Sequence, residues 1–326
     1  MLDRNKRQIN YLRLSITDHC NLRCQYCLPE KHTNFYNSCD LLNSNEIEKI
    51  VKAFSLIGIK KVRITGGEPL VRKDFKEILK KIHHIDGIEK IAITTNGFQL
   101  LENLEEFREN GLNRINISLD SLNAEKYNKI TRGGDFNIIF KTIKEATLKN
   151  FEKIRLNVVI MKDVNDDEIL DFVNLTKNLN VDVRFIEIMP IGEGKKFTSV
   201  KNLDILTLLQ KYYLLEKTSN ISTDGPASYY KIPNFLGEIG FISPLSNRFC
   251  DNCNRVRVTS NGFLKLCLHY NQGIDLVPYL GNDISVETLA TIIEQAIYNE
   301  KPKEHQMDSS EYTSNIESKG MNKIGG

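Results

Sequence analysis

The feature that most limits how this chain can fold is an alternation of short apolar β-type runs with amphipathic helical segments. The runs lie at residues 11–17, 61–65, 90–94, 114–119, 154–160 and 181–188. Between them, residues 45–56, 75–82, 100–107, 138–148 and 169–179 carry apolar side chains at helical spacing. In the first of these helices Ile47, Ile50, Val51 and Phe54 form the apolar stripe, and Asn43 and Glu46, three apart, read as a capping box. Such alternation calls for parallel strands joined by right-handed crossovers. About six units are fewer than the eight of a closed barrel, so periodicity leaves an incomplete barrel and an open doubly wound sheet both standing.

The alternation stops after residue 202. A helical segment at 203–213 is followed by short strands between Gly, Pro and aromatic residues over 229–268, then by a helix at 285–299 for which Ser285 is the expected cap. The expected division is therefore a βα region, 1–202, a smaller second region, 203–300, and a tail, 301–326. The tail is polar and reads as a mobile linker with a flexible Ile324-Gly325-Gly326 tip.

Seven cysteines without a secretory leader point to metal binding or catalysis rather than a disulfide framework. Cys20, Cys24 and Cys27 form C-x3-C-x2-C after the first strand, where ligands gather in α/β folds. Three close thiolates suit one face of an iron–sulfur cube with one iron left open. A zinc site borrowing His19 or His32 is the alternative. Cys250, Cys253 and Cys267 repeat the count as C-x2-C-x13-C, where zinc, with His269 close by, competes evenly on spacing. Cys39 has no partner and reads as an idle thiol.

Gly66-Gly67-Glu68-Pro69 follows the second run, Thr94-Thr95-Asn96 ends the third, Ser118-Leu119-Asp120 the fourth, and Met189-Pro190 follows the sixth. Polar residues thus collect at one end of successive strands, a placement that surface loops explain singly but not together. Arg63, Arg155 and Arg184 interrupt apolar strands, and a buried guanidinium is costly unless it meets an anion. Arg255 and Arg257, two apart, project from one strand face beside the second cysteine set. An anionic, polyphosphate-like substrate between the metal sites accounts for the cluster. Pairing with carboxylates such as Asp182 or Glu187 is the alternative for any one arginine.

The balance of 44 basic against 42 acidic residues gives a net charge of +2, without the excess needed to wrap nucleic acid. No apolar run approaches the about 18 residues of a membrane helix, and the charged start MLDRNKRQIN has no apolar h-region. Neither nucleic acid nor membrane is expected as a partner, and the cytoplasm is the expected address.

The CxxxCxxC run with Tyr26 inside CQYC, followed by GGEP, resembles the radical S-adenosylmethionine enzymes. The further runs TTNG, INISLDSL, RFIEIMPIG, CDNCNRVRVTSNGFLKLCL and the terminal IGG resemble the GTP 3',8-cyclase family of molybdenum cofactor biosynthesis. The resemblance implies an α/β fold, an incomplete (β/α)6 TIM-type barrel closed by a smaller C-terminal α+β region. It implies two [4Fe-4S] clusters, on Cys20, Cys24 and Cys27 and on Cys250, Cys253 and Cys267, and S-adenosylmethionine contacts at Tyr26, Gly67, Ser118 and Met189. GTP contacts fall on Arg13, Arg63, Thr94, Arg255 and Arg257, and on Arg155, where relatives commonly have Lys. Arg184 stays undecided between substrate contact and structural ion pair.

By the same resemblance, the open iron of the first cluster chelates S-adenosylmethionine, whose reductive cleavage yields a 5'-deoxyadenosyl radical. That radical takes the ribose 3' hydrogen of GTP, and C3' closes on C8 of guanine. The terminal Gly325-Gly326 would reach into the site. Implied partners are GTP, a reducing electron donor and, functionally, the next enzyme, cyclic pyranopterin monophosphate synthase; the chain would be monomer or homodimer. The alternatives are a radical peptide-modifying enzyme with an auxiliary cluster, and a non-catalytic metal-binding module.

Overall fold

A computed structural model describes residues 1–31, 34–218, 225–247, 249–304 and 317–325. Its strands are β1 (Tyr11–Ser15), β2 (Lys61–Thr65), β3 (Lys90–Thr95), β4 (Leu112–Ser118), β5 (Lys153–Ile160), β6 (Asp182–Glu187), β7 (Glu216–Lys217), β8 (Ser228–Lys231), β9 (Ile239–Ile242), β10 (Arg255–Val258), β11 (Phe263–Lys265) and β12 (Gly273–Asp275). They form one sheet in the order β12-β11-β10-β1-β2-β3-β4-β5-β6-β9-β8-β7.

Eight neighbours, from β10 through β1–β6 to β9, run parallel. The six-stranded core is the incomplete barrel the resemblance implies, and the C-terminal region adds strands to both of its edges, β10 and β9 parallel and β11-β12 and β8-β7 antiparallel beyond them.

The helices are α1 (Ser44–Leu56), α2 (Phe75–His83), α3 (Leu104–Glu109), α4 (Ala124–Thr131), α5 (Phe136–Thr147), α6 (Ile169–Asn178), α7 (Asn202–Gln210), α8 (Val286–Glu300) and α9 (Met321–Ile324). The Asn43 capping box forms, with Asn43 Oδ1 accepting from the amides of Asn45 and Glu46 and Glu46 Oε2 from that of Asn43. Ser285 caps α8 by accepting from the Thr288 amide. The sequence reading missed α4, whose short apolar stripe, Tyr127 and Ile130, gives little periodicity to detect.

Alternation along each strand separates two environments. Leu12, Leu14, Val62, Ile64, Ile91, Ile93, Ile115 and Ile117 face the helices and are buried in the main core with Ile47, Ile50, Phe54 and Ile78. The intervening residues, among them Tyr11, Arg13, Arg63, Asn116, Asn157 and Arg184, face the other way. Side chains from β1–β6 and from β10 line one cavity, so the sheet curls into a partial barrel whose lumen holds several arginines. No helix among the described residues is long and apolar enough to cross a membrane.

The second region is held to the first by α8 packing on α1, with Ile293 and Ile297 fully buried. Ile293→Ala leaves a cavity in that contact, and the expected cost is about 2–5 kcal/mol. The check is a lower denaturant midpoint at unchanged slope.

Candidate active site

Strand direction places the two cysteine sets. Cys20, Cys24 and Cys27 follow the carboxyl end of β1, whereas Cys250 and Cys253 precede the amino end of β10, which runs parallel to β1. Cys267 follows β11, antiparallel to β10, so the chain returns to that same end. All six thiols line the one cavity. The lumen is therefore a channel with a triad of thiols at each mouth.

At the first mouth the backbone is tightly braced. The amides of Cys27 and Leu28 donate to Cys24 O at 2.9 and 3.0 Å, and Arg23 Nη1 donates to Cys20 O at 2.6 Å. The Gly66-Gly67 strap lies directly against this loop, with Gly67 N donating to Thr17 O at 2.8 Å and Glu68 N to His19 O at 2.7 Å. A Cβ on Gly67 would sit 2.3 Å from His19 O and 2.5 Å from Asp18 O, so only glycine fits. Glu68 is buried and accepts from Thr95 Oγ1 at 2.7 Å, Asn96 N at 2.6 Å and Leu70 N at 3.1 Å.

Tyr26, Gly67, Ser118 and Met189 all line the cavity near this mouth. The Tyr26 hydroxyl donates to Asp120 Oδ2 at 2.7 Å, and Asp120 Oδ1 accepts from Val159 N at 2.8 Å. Burial pushes the Asp120 carboxyl up to about 6 and, with Asp120 beside it, the Tyr26 phenol well above its usual value.

Between the mouths, strand register stacks cations side by side. Arg13 is in register with Arg63 on one side and Arg257 on the other, and Tyr11 with Lys61 and Arg255 one layer away. Arg63 Nε donates to the Tyr11 hydroxyl. Burial opposes ionisation of Tyr11, but Arg63, Arg13, Arg255 and Lys61 together bring the phenol down to about 8. The arginines disfavour one another: burial, then Arg257, holds Arg13 well below its ordinary value, and burial with Arg255 brings Arg257 to about 10.

Arg184 also faces the lumen, bonded to Asn116 Oδ1 at 2.6 Å and Asn157 Oδ1 at 2.9 Å. Thr94 lines the wall as well. Arg155 lies on the same strand face as Asn157. Its Nε is 3.5 Å from Asp182 Oδ2 and its guanidinium lies over the Tyr229 ring, so it takes the carboxylate pairing while its charge still acts on Arg63 and Arg184.

The end of the chain occupies the lumen. Gly325 O accepts from Arg13 Nη2 at 3.2 Å, Arg257 Nη1 at 3.1 Å and Thr65 Oγ1 at 3.3 Å. Buried Asn322 donates to Asp18 O at 3.1 Å, and buried Glu317 pairs with Lys265. Composition suggested a mobile tip, but residues 317–325 are docked. Gly326 lies outside the described residues, as does His32.

Comparison with known proteins accounts for this arrangement. The Radical SAM superfamily model matches residues 14–176, and the Molybdenum Cofactor Synthesis C model matches residues 181–307. The chain is 47% identical over 312 residues to GTP 3',8-cyclase of Clostridium perfringens (strain SM101), covering 95% of this chain and 96% of the relative. It is 44% identical over 331 residues to GTP 3',8-cyclase of Alkaliphilus oremlandii, covering 100% of each. The chain belongs to the GTP 3',8-cyclase family of radical SAM enzymes. Among solved structures, Streptococcus suis SuiB bound to S-adenosylmethionine superposes with a TM-score of 0.66 at 17% identity, over 94% of this chain and 71% of that one, a likeness of fold alone.

The thiols fit the iron–sulfur clusters of such enzymes better than zinc. Among the described residues no three Cys, His, Asp or Glu side chains converge on a point that one ion could fill. In an iron–sulfur cluster each thiolate meets its own iron, so three thiols need not converge on one point. Burial drives the first triad's thiols up, helped by Glu68 at Cys20 (about 11), by Asp120 and the other two thiols at Cys24 (well above its usual value) and by Cys20 and Asp120 at Cys27 (about 12), so metal must supply the charge that ionises them. Burial also opposes ionisation of Cys253, but Lys301, Arg255 and Arg7 outweigh it and bring the thiol to about 7.

Sequence reasoning missed Tyr11, Asn157, Arg7 and Lys301, all of which line this family member's channel. The first two were detectable as polar residues in otherwise apolar runs. The last two lie in a terminal arm and a polar tail that gave no signal.

Burial raises Glu68 to about 7 from an ordinary value of 4.5. The native chain then binds more protons than the unfolded chain between those values, so this group's contribution to stability falls as pH rises through that window. Glu68→Gln cannot titrate and loses one of the three accepted bonds. Wild type should lead the variant most below about pH 4.5, with the lead shrinking toward pH 7. Denaturant midpoints across that range check it.

Proposed function

We propose that this protein converts GTP to (8S)-3',8-cyclo-7,8-dihydroguanosine 5'-triphosphate by radical S-adenosylmethionine chemistry, the first step of molybdenum cofactor biosynthesis. The observation that carries the reading is the two-mouthed channel, a thiol triad at each end and stacked arginines between. When bound at Cys20, Cys24 and Cys27, the first cluster would supply the electron that cleaves S-adenosylmethionine into its radical. Tyr26, Gly67, Ser118 and Met189 hold that cofactor at the first mouth.

Arg13, Arg63, Arg255 and Arg257 bind the triphosphate, whose charge relieves their mutual repulsion. Arg184 joins them from the opposite wall, and Thr94 contacts the nucleoside. Arg155, held by Asp182 and Tyr229, adds its charge to the triphosphate site from β5. The base points to the second mouth, where Cys250, Cys253 and Cys267 hold the other cluster. The product then passes to cyclic pyranopterin monophosphate synthase, electrons come from a cytoplasmic reductant, and the chain works as monomer or homodimer.

The test is anaerobic: load both clusters, add S-adenosylmethionine and reductant, and quantify 5'-deoxyadenosine with and without GTP by mass-resolved chromatography. GTP should raise the yield, and a cyclised guanosine triphosphate should appear. Cleavage indifferent to GTP would discard the substrate while leaving the radical chemistry, as for a peptide-modifying enzyme. No cleavage from a loaded first cluster would leave a metal-binding module.

Each charged hydrogen bond to the triphosphate is worth about 1.5–3 kcal/mol, roughly tenfold or more in affinity. Arg13→Ala and Arg257→Ala should each weaken GTP binding by at least that factor, and Arg155→Ala by less. Equilibrium titration with GTP decides, and an unchanged affinity in the first two would remove them from the site.

A further inference from the structure

Lys301 follows the last turn of α8, at the point where the sequence turns polar and reads as a free tail. Its side chain is among the most deeply buried in the protein, at 2% exposure. Nζ donates to Arg255 O at 2.8 Å and to Leu266 O at 2.6 Å, and lies 3.9 Å from Cys253 Sγ. Those three acceptors match the three N–H bonds of an ammonium. They also belong to both arms of the second cysteine set: Cys253 and the start of β10 on one side, and the residue before Cys267 on the other.

Two of the cations around it are already matched elsewhere, while Arg255 faces the lumen. Arg7 is paired with Asp3 at 2.7 Å, and Lys265 is paired with Glu317. Among the described residues no carboxylate lies within ion-pair distance of Lys301 Nζ; its acceptors are two carbonyls and a thiol. An ammonium held dry with only neutral acceptors is costly, and the negative charge that offsets it must come from the thiolates and what they hold.

We propose that Lys301 is the fixed counter-cation of the second cysteine-held cluster, tying its two binding arms together and raising its reduction potential. This rests on the reading of Cys250, Cys253 and Cys267 as a cluster site. A nearby positive charge favours the more negative, reduced state of a buried cluster, whereas a neutral residue there favours the oxidised state. The role is one of positioning and tuning, since nothing places Lys301 on the reacting atoms.

The test uses the full chain with Cys20, Cys24 and Cys27 all replaced by Ala, so that iron and sulfide report the second site alone. Lys301→Gln keeps donors for the two carbonyls and removes the charge; Lys301→Arg keeps the charge. Potentiometric titration followed by electron paramagnetic resonance should show the Gln variant's midpoint falling by at least about 59 mV, a tenfold change for a one-electron couple. The Arg variant should stay near the parent.

An unchanged midpoint in a fully loaded Gln variant would overturn the proposal while leaving the cluster in place. Loss of iron from the Gln variant alone supports the charged tie, whereas loss from both variants assigns Lys301 to packing and overturns it. If the parent holds no iron, the cluster reading of the second set fails and the proposal with it.

Discussion

The constraint on which the structure turns is the register that puts Arg257, Arg13 and Arg63 side by side across three parallel strands. In this layer the register neighbours of Arg13 are both arginines, whereas Arg155 on β5 has the carboxylate Asp182 beside it. The outer face of the strands is committed to Leu12, Val62 and Val256, which pack under helices. The cations must therefore share the lumen, where burial and mutual repulsion both act against them. A Tyr11 phenol and the Gly325 carbonyl are among the polar groups placed beside them. On the proposed function, a triphosphate would bring these cations an anionic charge that neither of those two groups carries.

The C-terminal region is bound to the barrel by buried polar side chains that reach carbonyls and carboxylates across the fold. Lys265 pairs with Glu317, which brings the last residues of the chain back to β11. Asn322 then fixes α9 to Asp18, two residues before the first cysteine. Arg7 gathers Cys250 O, Pro302 O and Lys303 O at 2.7–3.0 Å, closing the amino-terminal arm over the second mouth. A carbonyl at position 325 consequently meets Arg13 and Arg257 only because contacts at both mouths hold the tail in place.

How much of this could be read from the sequence follows the range over which each feature is encoded. The capping boxes, the cysteine spacing and the helix faces are local, and the chain spells them out within a few residues. The neighbours of β1 are not local: β10 lies more than two hundred residues away, and nothing in RVRV says whether it pairs parallel or antiparallel. The same limit separates Arg155 from Arg184, two lone cations in similar apolar runs. Register decides between them, because Arg155 falls beside Asp182 while Arg184 falls beside Gly240. A Cβ on Gly240 would lie 2.9 Å from Arg184 Cγ, so its absence gives the longer side chain room to enter the lumen. Lys301, Glu317 and Asn322 were hidden for another reason: composition averages over a segment, and a polar segment can still bury some of its members.

The channel geometry also explains why this chemistry is assembled from both ends of the chain. The thiol triads at the carboxyl end of β1 and at the amino end of β10 line one lumen, so groups held at them share a single space. An ordinary barrel fills that lumen with interdigitated apolar side chains. Here the inward positions of β1, β2 and β10 carry long cations, and those of β4 and β5 carry Asn116 and Asn157, which orient Arg184 through its guanidinium. Hydrophobic filling is thus given up along the axis, and stability is moved to the outer shell and to the helix α8 contact with α1. A molecule that is anionic at its centre and reactive toward the first mouth restores the filling while it binds. Specificity and the packing of the barrel interior are on this view the same property, set by how many inward positions the strands devote to arginine.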